Sequence, residues 1–130
     1  AVINGTEQDV RVAARRLTDG WGVDCVIDIV GKEVTIAAGV DSLCNGGRLV
    51  IVGYTPDTYS MNGKQIAQNE LEVIGARCGR KRDLLSAAEL AAAGKTKSIV
   101  TDTYPLEEVN EALALLRAGQ VLGRCVLEIE

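Results

Sequence analysis

Apolar positions change period several times along the chain, and each change marks an element. After the short apolar run Ala1-Val2-Ile3-Asn4, Thr6 offers a hydroxyl N-cap with the acidic Asp9 three places on. Val10, Ala13, Ala14 and Leu17 then recur on one helical face, and Gly20 can take the left-handed conformation that ends a helix. Segment 23–31, VDCVIDIVG, is a nearly continuous β-branched run closing on glycine, as in a strand covered on both faces of a parallel sheet. A helix over Lys32–Leu43 follows, Cys44-Asn45-Gly46-Gly47 reads as a turn, and RLVIVG at 48–53 repeats the apolar strand ending in glycine. This is a β-α-β unit, whose crossover is right-handed.

Residues 54–70 are polar and turn-rich, with one helical turn around Gln65 to Asn69. LEVIGARCG at 71–79 predicts a third strand, and Asp83 can cap a helix running through Ala93 to Gly94. SIVTDTY at 98–104 alternates as a strand does. Pro105 opens a helix whose Leu106, Val109, Leu113 and Leu116 form one stripe, and Gly119 ends it. GRCVLEIE at 123–130 alternates as a half-exposed strand.

Composition narrows the chemistry. The 47% hydrophobic and 25% charged residues fit an ordinary globular chain, and no apolar run approaches the roughly 20 residues of a membrane helix. Net charge is −4 with dispersed basic residues, so no basic stripe suggests DNA or RNA. Cys25, Cys44, Cys78 and Cys125 lie far apart without a CxxC pair, which fits reduced thiols in cytoplasm. Single cysteines in apolar strands are usually core residues, so no zinc is assigned to them. Histidine is absent, which removes imidazole as base, proton relay or metal ligand in this chain.

In open parallel sheets, ligands bind beyond the carboxyl ends of the strands. Three strands here end in Gly31, Gly53 and Gly79. Such glycines either merely terminate strands or let a flat ring approach the backbone; three in succession favour the second reading. Asp28 interrupts an apolar strand and must be paired, functionally or structurally. The basic run Arg77, Arg80, Lys81, Arg82 suits either an anionic ligand or a solvated helix entrance.

The segments GVDCVIDIVG (22–31), GGRLVIVGY (46–54), LEVIGARCG (71–79), YPLEEVNEALALLRAG (104–119) and VLGRCVLEI (121–129) resemble, in wording and spacing, the C-terminal third of the medium-chain dehydrogenase/reductases, especially the zinc-type alcohol dehydrogenases. The resemblance implies an α/β fold: the later half of a Rossmann-type, doubly wound parallel sheet without its first two strands, over residues 1–79. Residues 80–130 would be a helix-strand-helix-strand segment returning to the catalytic domain. Residues 1–4 would belong to the third strand of the six, leaving a gap beside the strand at 23–31 and an unpaired edge that invites another chain.

By the same resemblance, Ile29, Val30 and Gly31 line the adenosine and ribose side of the cofactor. Val52, Gly53 and Tyr54 sit beside the nicotinamide, Arg77, Cys78 and Gly79 form another wall segment, and Arg124 reaches the pyrophosphate. The implied parent is an oxidoreductase transferring hydride between NAD or NADP and a small alcohol, aldehyde or ketone, with zinc ligands outside this chain. No GxGxxG occurs, so the isolated chain is expected to be inactive. A dimer or tetramer through the edge strand near 71–78 is also implied. A zinc-free quinone or enoyl reductase, and a non-catalytic nucleotide-binding or dimerisation module, are the competing readings.

Overall fold

The computed structural model describes residues 1–129, which divide into two units, Ala1–Cys78 and Gly79 onward. No helix among the described residues is long and apolar enough to cross a membrane.

In the first unit, helix α1 (Val10–Leu17) is capped by Asp9, whose carboxylate accepts the N–H groups of Arg11 and Val12. Thr6 is therefore not the cap. The carboxylate suits the helix start better, because it also pairs with the Arg11 guanidinium at 2.6 Å. Of the expected apolar face, Ala13 and Ala14 are buried while Leu17 is exposed. The expected strand at residues 1–4 does not form, because no neighbouring ladder is available among the described residues, and Val2 is exposed.

Strand β1 (Val23–Asp28), helix α2 (Glu33–Ser42) and strand β2 (Leu43–Ile51) form the predicted β-α-β unit. β1 and β2 run parallel, pairing Cys25 with Arg48 through Asp28 with Ile51. Leu43 pairs with Val23, and residues 44–47 bulge out before the ladder resumes at Arg48. The turn predicted at Cys44–Gly47 is thus a bulge within β2. Helix α3 (Gly63–Gln68) is capped by Asn62, and strand β3 (Glu72–Gly75) adds a parallel ladder to β2, from Arg48 opposite Glu72 to Ile51 opposite Gly75. The sheet order is β1-β2-β3. The apolar segments closing at residues 31, 53 and 79 therefore do run side by side in one direction.

α2 packs on this sheet. Ile36, Val40, Leu43, Leu49 and Leu71 form the buried cluster, flanked by Val23, Val26, Ile51, Met61 and Ile66. Aliphatic branching does what aromatics would otherwise do, consistent with the absence of phenylalanine. β1 was expected to be covered on both faces, yet it forms one edge of the sheet, and Cys25 and Ile27, two residues apart on one face, are exposed.

In the second unit, helix α4 (Lys81–Ala92) starts at Arg80 rather than Asp83. Asp83 sits in the first turn and accepts the Arg80 N–H at 2.7 Å, closing the helix start from inside. Strand β4 (Val100–Pro105) is followed by a 3₁₀ turn (Leu106–Glu108), helix α5 (Val109–Arg117) and strand β5 (Arg124–Glu128). Pro105 ends the strand instead of opening the helix. β4 and β5 pair parallel, so this is a second β-α-β unit with Ala112 buried.

Candidate nucleotide-binding site

The strand ladders stop before their glycines, at Asp28, Ile51 and Gly75. What happens in the next few residues defines the site. Asp28 is 5% exposed, and its carboxylate accepts three donors: Val30 N–H at 2.7 Å and Gly31 N–H at 3.0 Å on Oδ1, and the Thr35 hydroxyl at 2.8 Å on Oδ2. Burial pushes this carboxyl up, but the Gly31 N–H, the Thr35 hydroxyl and the Val30 N–H together outweigh burial and hold it below its ordinary value. The alternatives left open for Asp28 resolve here as a fully satisfied bracket between β1 and the first turn of α2.

The main-chain carbonyl of Asp28 accepts the N–H groups of both Val52 and Gly53, at 2.8 and 3.0 Å. The Thr55 hydroxyl donates to the Gly31 carbonyl at 2.8 Å. The turn after β2 is thereby fastened onto the turn after β1. The two backbones cross so closely that a Cβ on Gly31 would fall on the carbonyl group of Gly53, and a Cβ on Gly53 on that of Ile29. Gly31 also has φ +74, a left-handed conformation that favours glycine. These two glycines are required by each other's backbone, which is a third role beside the two foreseen. Gly79, by contrast, has no such contact and belongs to the second unit.

Beyond the tips of β2 and β3 lies a hollow of ≈ 570 Å³ lined by Ile51, Val52, Gly53, Tyr54, Gly75, Ala76 and Arg77. The structure thus brings together Val52, Gly53, Tyr54 and Arg77. A Cβ on Gly75 would meet nothing within 4 Å, so the floor of this hollow stays open. Tyr54 is 86% exposed, and the Tyr54 N–H and the Val52 carbonyl have no hydrogen-bond partner among the described residues, while the Gly53 carbonyl abuts Gly31. The first two are a free backbone donor and acceptor, of the kind that suits an amide group. Cys78 has φ +52 and is exposed without lining the hollow.

Ile29 and Val30 point elsewhere. They line a larger groove of ≈ 820 Å³ along the outer edge of β1, with Ala14, Val26, Ile27 and Ala38 among its walls. That groove runs along the edge of β1 that no described strand pairs with. Arg124 lies in the second unit, where it opens β5, its N–H donates to the Ile99 carbonyl at 2.9 Å, and it borders a small hollow with Val121 and Cys125. Sequence reasoning missed Thr35, Thr55 and Gly75. A buried acid followed three residues later by glycine and seven later by threonine was the available signal for the first.

A metal does not fit the described residues. No group of three or more Cys, Asp or Glu side chains among them is placed to hold one, and the chain has no histidine.

Comparison with known proteins gives the family. Residues 1–127 match the family described as zinc-binding dehydrogenase. An NAD-dependent alcohol dehydrogenase of Saccharolobus solfataricus is 36% identical over 126 residues, covering 97% of this chain and 36% of that protein. One from Sulfurisphaera tokodaii is 39% identical over 126 residues, again covering 97% of this chain and 36% of the relative. The crystal structure of the alcohol dehydrogenase from Aeropyrum pernix superimposes with a TM-score of 0.86 at 31% identity, covering 95% of this chain and 35% of that one. The chain thus spans about a third of the length of the relatives it matches.

Proposed function

Because the chain belongs to the zinc-binding dehydrogenase family, we propose that it supplies the nicotinamide-facing wall of an NAD-dependent alcohol dehydrogenase acting on a small alcohol, aldehyde or ketone. The observation that carries this reading is the pair of parallel strand ends, β1 and β2, locked together through Asp28 and the Gly31–Gly53 crossing beside an open hollow. When bound, the nicotinamide would accept or donate the hydride.

The chain's own residues bind and orient. The Tyr54 N–H and the Val52 carbonyl would be available to the carboxamide, and Ile51 and Ala76 would line the hollow beside it. Ile29, Val30 and Gly31 would meet the ribose side, Arg77, Cys78 and Gly79 would complete the wall, and Arg124 would reach the pyrophosphate with its charged fork. NAD is favoured over NADP by the NAD dependence in the relatives' names. The described residues do not fit zinc, so zinc chemistry in the parent enzyme would fall to residues outside them. β3, with all four residues exposed, would provide the subunit contact of a homo-oligomer.

The test is NADH formation by the longest protein carrying this sequence, assayed with NAD⁺ and NADP⁺ against small primary and secondary alcohols, with and without a zinc chelator. Chelator-sensitive, NAD⁺-dependent turnover is expected. Failure to reduce either coenzyme with any alcohol, together with no NADH binding, would refute the proposal.

A further inference from the structure

We propose that Asp28 is a positioning residue that sets the relative place of both nucleotide-facing turns, 29–31 after β1 and 52–54 after β2. Its relevance to catalysis rests on the function proposed above; its geometry does not. One residue makes the decisive hydrogen bonds of both turns. The side chain holds the first turn through Val30 and Gly31, while the main-chain carbonyl holds the second through Val52 and Gly53. Thr35 fixes the carboxylate from the first turn of α2, at 2.8 Å. A shift of the Asp28 peptide would move both turns, and losing the side chain frees 29–31, on which residues 52–55 rest through the Gly31–Gly53 crossing and the bond from the Thr55 hydroxyl to the Gly31 carbonyl.

Two features separate positioning from general stabilisation. First, the bracket lies at the end of the ladder, outside the cluster of Ile36, Val40, Leu43, Leu49 and Leu71. Loosening it should leave that cluster formed. Second, everything that faces the carboxylate donates, two N–H groups and one hydroxyl, so the requirement is for acceptors at Oδ1 and Oδ2. Asparagine keeps one acceptor, and the Thr35 hydroxyl can turn to the Lys32 carbonyl, which it already approaches at 3.0 Å. Alanine keeps none and strands two N–H donors beside a buried position.

The experiment uses the longest protein carrying this sequence, isotope-labelled, with Asp28→Ala, Asp28→Asn and the milder Thr35→Val, which removes only the Oδ2 contact. Amide hydrogen exchange and NADH-induced chemical-shift changes are read residue by residue. Asp28→Ala should speed exchange at Gly31, Val52 and Gly53 about tenfold or more and weaken NADH about tenfold, the equivalent of one hydrogen bond to a charged acceptor. Leu49 should stay protected, Asp28→Asn should come within roughly threefold of wild type, and Thr35→Val should fall between. If Asp28→Ala does not fold, Thr35→Val decides, because it should speed the same amides in a folded chain.

Unchanged exchange in the variants overturns the proposal, and so does an increase spread evenly through Leu49 and the rest of β2. If NADH shifts no resonance even in the wild type, the nucleotide reading of this site falls, and the exchange pattern alone decides the role of Asp28.

Discussion

A single methyl group at Gly53 should cost the first unit much of its stability. An alanine Cβ there would lie 2.5 Å from the Val30 carbonyl carbon and closer still to the Ile29 carbonyl. These neighbours are backbone, so no rotamer change can relieve the clash. Overpacking that forces backbone to move costs about 3 kcal/mol. A body the size of residues 1–78 holds about 4–12 kcal/mol in total. With a urea slope of about 1 kcal/mol per molar, the midpoint should fall by about 3 M, enough to unfold a marginal protein without denaturant. Gly31→Ala should be worse by about 1 kcal/mol, because φ +74 adds left-handed strain to a Cβ lying 2.6 Å from the Tyr54 nitrogen. Gly75→Ala, which meets nothing within 4 Å, is the control and should stay within about 0.5 kcal/mol. Urea unfolding followed by far-ultraviolet circular dichroism measures all three. Equal midpoints for Gly53→Ala and Gly75→Ala would refute the close crossing.

Other outcomes follow from the same structure. The Asp28 carboxyl sits below its ordinary value in the fold, so the stability it contributes is fully present above the unfolded value of about 3.9 and is lost as pH falls through the folded one. Urea midpoints measured down that range should show an acid limb that Asp28→Asn flattens, and an identical limb in the variant would contradict this. Asp9 should titrate at about 2 by NMR, because the Arg11 guanidinium hydrogen-bonds its carboxylate, and added salt should move that midpoint upward. The chain exposes 10268 Å², whereas two separate compact bodies of these sizes would expose about 8,000 Å² together. The isolated chain should therefore self-associate through the open edge of β1 at micromolar concentration, and Ile27→Lys should reduce this in sedimentation velocity. A strictly monomeric wild type would show that edge to be harmless.

Sequence alone revealed the parallel β-α-β unit, because β-branched runs such as VDCVIDIVG and RLVIVG leave little alternative to buried parallel strands. It placed their ends too late. Asp28 turns the chain three residues before Gly31, and a single interrupting acid does not announce which N–H groups it will bind. Caps were confused where two candidates lay close together: Thr6 against Asp9, and Asp83 against Arg80. The choice depends on side-chain geometry that composition does not encode. Gly31 and Gly53 were singled out as ligand-facing strand ends, but their backbone-to-backbone approach, between positions 22 residues apart, is a tertiary fact. Arg124 was named through resemblance, and its local surroundings in β5 carry no separate signature of phosphate binding. Ile29 and Val30 were grouped with Gly31 through resemblance, and in the structure they line the groove beside β1.

The most direct test is a crystal structure, with NAD⁺ bound, of the longest protein that contains these residues. The nicotinamide should lie in the hollow formed by Ile51, Val52, Gly53, Tyr54 and Ala76, with its carboxamide hydrogen-bonded to backbone at 52–54. A nucleotide bound away from the tips of β1 and β2, with that hollow filled by side chains, would contradict the assignment.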